Sequence, residues 1–177
     1  MKNSVKTAVC GLSTALSVVL MFVSGFFYSL TYVAPLVLGF LIVMVCKTFG
    51  TKSALCVYFA SAFLSLILVS QKESAIIYTL FFGYYPIIKQ YLDKVKPKII
   101  SAALKLTIFN ACIALTEIIC VYLLGIPFFE DGNFSVSMIV VFAALMNIVF
   151  IFYEIALKYF NIVYERKIEK QIKKLFK

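Results

Sequence analysis

The chain has 177 residues, of which 63% are hydrophobic and 14% charged, with a formal net charge of +9. Soluble domains carry about 45–50% apolar and about 25% charged residues, so this composition excludes an ordinary soluble enzyme, a disordered tail and a fibrous repeat. Sixteen lysines against one arginine also argue against nucleic acid as a partner, because base and phosphate recognition favours the guanidinium fork.

An α-helix rises about 1.5 Å per residue, so about 20 apolar residues cross a hydrocarbon core about 30 Å thick. Six apolar runs approach that length in chain order. The first, residues 7–27, follows Lys2 and Lys6 and exceeds the length of a signal-peptide core. The second, 32–46, ends at Lys47 and the turn around Gly50. The third, 53–70, ends at Gln71, Lys72 and Glu73. The fourth, 75–88, is short and holds Gly83 and Pro86; proline removes a backbone donor and disfavours helix at Tyr85, so a kink or helix end is expected there. A basic segment with Lys89, Asp93, Lys94, Lys96 and Lys98 leads into the fifth run, 99–124. A loop with Glu130 and Asp131 leads into the sixth, 136–160. The expected fold is all-α: residues 1–163 form a polytopic membrane domain of six transmembrane helices. A basic amphipathic tail, 164–177, follows, with Tyr164, Ile168, Ile172 and Leu175 at helical spacing, expected to lie on the cytoplasmic leaflet or on a cytoplasmic partner.

Six crossings put both termini on one side. On that topology sixteen of the seventeen basic residues fall at one face and only Lys72 at the other. The positive-inside rule then predicts a multi-pass protein of the cell membrane with both termini in the cytoplasm.

The absence of histidine removes His-based metal sites, Ser-His-Asp catalysis and His proton relays. Cys10, Cys46, Cys56, Cys112 and Cys120 form no CxxC pair and lie in or beside apolar runs; packing as small apolar residues is their expected role. No catalytic motif or nucleotide-binding glycine loop is present, so no enzyme activity and no cofactor is expected.

Ionisable residues inside spanning segments are costly to insert and are functional candidates by default. The fifth helix carries Ala103, Thr107, Asn110, Ala114 and Glu117 on one face; the sixth carries Ala144, Asn147, Ile151, Glu154 and Lys158 on one face. The helix rise puts Asn110 and Asn147 at matching depth, about 16 Å in, where they can bond to each other and pack the two helices. Glu154 has Lys158 one turn on, with Lys105 at the same membrane face. Glu117 has no cation near it in sequence and sits near the outer interface, which makes it a ligand contact candidate. Tyr28, Tyr32, Tyr78 and Tyr122 also fall near the outer interface, as an aromatic belt or, with Gln71 and the loop 128–134, as the lining of an outward-facing pocket. The candidate ligand-binding set is therefore Glu117, Asn110, Asn147, Tyr78, Tyr32, Gln71 and Tyr122.

Helix one carries Ser4, Ala8, Gly11 and Ala15 at spacings of 4, 3 and 4, a small-residue face that permits close approach of another helix. That face serves either packing within the bundle or docking of another subunit. The segment from Ala8 to Leu20, AVCGLSTALSVVL, resembles the first helix of the substrate-binding S components of energy-coupling factor (ECF) transporters. In that family a small-xxx-small pair, usually two alanines, contacts the shared transmembrane coupling subunit. Gly11 and Ala15 stand at the matching positions, with glycine a departure from the first alanine. The resemblance is specific over about 20 residues and architectural beyond them; the nickel and cobalt members are excluded, because they depend on an N-terminal histidine.

The resemblance implies a subunit that captures a small-molecule nutrient, vitamin-like in size, at the outer ends of its helices. It would dock through Ala8, Gly11 and Ala15 on a coupling subunit and release the ligand inside, driven by two ATPase subunits. Two other classes fit the composition: a non-transporting membrane scaffold of envelope assembly, and a small ion-coupled carrier using Glu117.

Overall fold

The structure, a computed structural model, describes residues 3–27, 30–125 and 136–168. Among the described residues all regular structure is helical. Helix α1 spans Asn3–Ser24, α2 Val33–Phe49, α3 Thr51–Leu68, α4 Lys72–Ile77, α5 Tyr85–Leu92, α6 Lys98–Ile118 and α7 Val136–Val163. Among the described residues, four segments are long and apolar enough to cross a membrane: Ser4–Ser24, Thr51–Leu68, Lys98–Leu123 and Ser137–Arg166. Helix α2 is apolar but shorter, at 17 residues. Tyr28, the loop 128–134 and the tail positions Ile172 and Leu175 lie outside the described residues.

The turn expected between the second and third runs reduces to one residue. Gly50 adopts φ 87°, a left-handed conformation that other residues disfavour, and its N–H bonds the Cys46 carbonyl at 3.0 Å. Lys47 and Lys52 therefore lie on helices rather than in a loop.

The fourth run is longer than expected and broken. Helix α4 passes into a π turn, Tyr78–Phe82, in which the Gly83 N–H reaches back five residues to the Tyr78 carbonyl at 2.8 Å. Pro86 opens α5, where its missing N–H is harmless, and the helix runs on to Leu92. Gly83 lies against the Tyr58 ring, where a Cβ would clash, and the Tyr58 hydroxyl donates to the Thr79 carbonyl at 2.7 Å, satisfying a backbone group at the break. The helix outlasts the expected end at residue 88 because Lys89, which reads as the start of a basic loop, is buried among partners.

The packed interior combines close small-residue contacts with an aromatic core. Helix α1 lies chiefly on α3 and also on α2. Its buried face is Ser13, Ser17, Met21 and Ser24, and the buried residues of α3 include Ala54, Ser61, Ala62 and Ser65. Serines fit this interface by returning their hydroxyls to their own helix, as Ser17 does to Ser13 at 2.9 Å. Across the other half, Phe81 stacks on Tyr85 at 4.5 Å and Phe109 on Phe150 at 4.7 Å. Such pairs add about 0.5–1.5 kcal/mol each beyond area burial. Gly39 lets α2 meet α7: a Cβ there would overlap the Tyr153 hydroxyl.

At the far end of α7 the chain continues as a π turn, Tyr164–Ile168. Tyr164 is buried, bonded to Thr48, and stacks on Phe160, while Glu165 pairs with Lys47 at 2.7 Å. The first apolar position expected in the tail thus faces α2 instead of a lipid surface.

Candidate functional sites: a polar mouth, a charge cluster and a free helix face

At the Gln71 end, the start of α4 meets the segment before α2 and the end of α6. The Thr31 hydroxyl donates to the Gln71 side-chain carbonyl and the Tyr32 hydroxyl to the Glu73 carboxylate. Glu117, half-buried on α6, lies within electrostatic range of Glu73. Lys72, the one lysine between these elements, does not face them: its ammonium binds the Leu66 and Ile67 carbonyls at 2.9 and 3.3 Å, capping α3. Among the described residues no cation pairs with Glu73 or Glu117. Two carboxyl groups, hydroxyls and an amide thus gather at one end, with no ion-pair partner for either carboxyl among the described residues.

Of the expected ligand contacts, Tyr32, Gln71 and Glu117 come together here. The other four do not join them. Tyr122, in the π turn Ile119–Leu123 that continues α6, is 85% exposed. Tyr78 is fully buried and bonds Ser61 at 2.8 Å. Asn110 and Asn147 bond each other reciprocally, at 2.9 and 3.1 Å. Each amide's second donor goes to its own helix, to the Leu106 and Ala143 carbonyls. Both N–H groups of each amide are therefore used, and the pair fastens α6 to α7. Neither Glu73 nor Thr31 stands out in the sequence as a site residue. Glu73 reads there as punctuation between two apolar runs, and only its place in the first turn of α4 brings it to the mouth.

At the lysine-rich end, Glu154 gathers α5, α6 and α7. Tyr85 donates to its carboxylate at 2.6 Å, Lys105 at 2.6 Å, and Lys89 also donates to it. Lys105 further pairs with Asp93, and Lys89 approaches Asp93 at 3.7 Å. Both lysines are buried, so two cations face two carboxylates and the cluster is internally neutral. The sequence neighbour Lys158 is exposed and belongs to none of these pairs. Tertiary partners replace the local one because Glu154 turns inward beside Tyr153, while Lys158 turns out.

The small-residue face of α1 is left free by this packing. Ser4, Ala8, Gly11 and Ala15 are all exposed, and a Cβ placed on Gly11 meets nothing within 4 Å. Flanking Leu12, Leu16 and Val19 are exposed too, giving an apolar surface with a shallow centre. The five cysteines are free thiols: Cys46, Cys112 and Cys120 are buried, Cys10 is half-buried and Cys56 is exposed.

Compared with known proteins, the chain matches no family model, no curated protein and no solved structure.

Proposed function

We propose that this chain is the membrane-embedded capture subunit of an ATP-driven importer, similar in role to an ECF S component. In this reading it crosses the cell membrane six times, with α4 and α5 forming one broken crossing and both termini in the cytoplasm. The polar mouth at Tyr32, Gln71, Glu73 and Glu117 receives a small nutrient from outside. Unpaired carboxylates there favour a ligand carrying a positive group, such as an amine. Docking on a transmembrane coupling subunit with two ATPase subunits then leads to release inside.

The observation that carries this reading is the orientation of α1. A small-residue stripe used for internal packing would face α3; instead serines and Met21 take that role, and Ala8, Gly11 and Ala15 remain exposed. In a bilayer, small residues facing lipid forgo side-chain contact area, whereas against a second helix they allow close backbone approach. The test is an affinity pulldown from native membranes in mild detergent, wild type beside Gly11→Leu and Ala15→Leu. Both sites are open, so leucine is accommodated without refolding the bundle. Recovery of a coupling subunit and two ATPases with wild type alone supports the proposal. A well-folded wild type that recovers no such subunits refutes it.

A further inference from the structure

The lysines at the cytoplasmic end of α5 and α6 fall into two classes. Lys89 and Lys105 are buried and neutralised by Asp93 and Glu154. Lys94, Lys96 and Lys98 are exposed and have no carboxylate partner among the described residues. Asp93, which precedes them in the chain, is already engaged by the two buried lysines.

The turn bearing these three lysines is tied at both ends. The Lys94 and Val95 N–H groups bond the Tyr91 and Leu92 carbonyls at 3.1 Å, and the Ser101 hydroxyl donates to the Leu92 carbonyl at 2.7 Å. Beside them stand exposed apolar groups: Ile99 at 81%, Ile100 at 49% and Tyr91 at 57% exposure. The Lys94 ammonium sits 5.6 Å from the Tyr91 ring centroid. Cations and bulky apolar groups therefore alternate within a few residues, a pattern that places the water–hydrocarbon boundary at the first turn of α6.

We propose that this turn, residues 91–100, is a binding surface for the headgroups of anionic phospholipids. Lys94, Lys96 and Lys98 take the phosphates, while Tyr91, Ile99 and Ile100 enter the edge of the acyl chains. Charge complementarity selects the lipid: three unpaired cations on a tied turn meet a negatively charged leaflet. The role is independent of the nutrient site and of the α1 face, and it rests on the reading that the chain is a membrane protein.

Each lysine beside an anionic surface strengthens binding about fivefold, so three set a ceiling of about a hundredfold. The full chain is reconstituted in nanodiscs with equal phosphatidylglycerol and phosphatidylcholine and extracted in mild detergent, and the retained lipid is counted by mass spectrometry. Phosphatidylglycerol is expected to be enriched by at least about tenfold, and the enrichment to fall at about 1 M salt, where the screening length is about 3 Å. The variant Lys94→Gln/Lys96→Gln/Lys98→Gln is expected to lose most of that enrichment. Lys72→Gln, which removes a charge at the opposite end of the bundle, is expected to keep it. Retention without headgroup preference, or equal loss in both variants, overturns the proposal. So does unchanged lipid binding accompanied by loss of a cytoplasmic protein from a pulldown, which would assign the turn to a protein partner. A chain that never enters the discs would overturn the membrane reading itself, before any lipid is counted.

Discussion

Replacing Glu154 with leucine, of similar volume, would leave Lys89 and Lys105 buried with half their countercharge. Breaking a buried ion pair from one side typically costs about 3–5 kcal/mol, because the remaining charge stays desolvated. Here Asp93 still receives both lysines, so the lower end, about 3 kcal/mol, is expected. At about 2–4 °C per kcal/mol for a chain of this size, Tm falls by about 6–12 °C. The assay is thermal unfolding in mild detergent, with Lys158→Met as the control; that exposed lysine is expected to shift stability by no more than about 0.5 kcal/mol. A further variant, Glu154→Leu/Lys89→Met/Lys105→Met, removes the stranded charges and should recover much of the loss, since apolar replacement of a whole buried pair is often neutral. If Glu154→Leu were as mild as Lys158→Met, or the triple variant less stable than the single, the cluster would not be the buried pairing described.

Three other outcomes follow from the geometry. Asn110→Ala and Asn147→Ala should each destabilise by about 0.6–1.7 kcal/mol, and the double variant by little more than either, because both singles break the same bonds; additive losses by thermal unfolding would contradict this. Gly39→Ala should destabilise by about 1–3 kcal/mol through overlap with the Tyr153 hydroxyl, whereas Gly11→Ala should be neutral or slightly stabilising, which the same melts would compare. Glu117→Gln should weaken binding of a positively charged ligand by at least about tenfold with Tm unchanged, read by isothermal titration; unchanged affinity would remove Glu117 from the mouth.

Much of this arrangement is legible in the sequence where a spacing alone decides it. Asn110 and Asn147 fall at equal depth on adjacent antiparallel helices, and their reciprocal bonds follow from that. What spacing cannot decide is which of two faces turns inward. Helix α1 has two small-residue stripes, one through Ala8, Gly11 and Ala15 and one through Ser13, Ser17 and Ser24, and only its packing on α3 and α2 selects the second for burial. Charge misleads for a similar reason. Lys89 reads as the end of a hydrophobic run and Lys158 as the partner of Glu154. Burial reverses both readings, because two lysines and two carboxylates from separate elements neutralise one another inside the bundle. Tyr78 reads as interfacial from its position in the run, yet its bond to Ser61 places it in the core.

The most direct test of the account is site-specific photocrosslinking on α1 in native membranes. A photoreactive residue at Ala15, which is exposed, is predicted to join the chain to a transmembrane coupling subunit; the same residue at buried Ser17 is predicted to give only products within the chain. Crosslinks from position 15 to lipid alone, or equal intermolecular products from positions 15 and 17, would contradict a docking face on α1 and with it the capture-subunit reading.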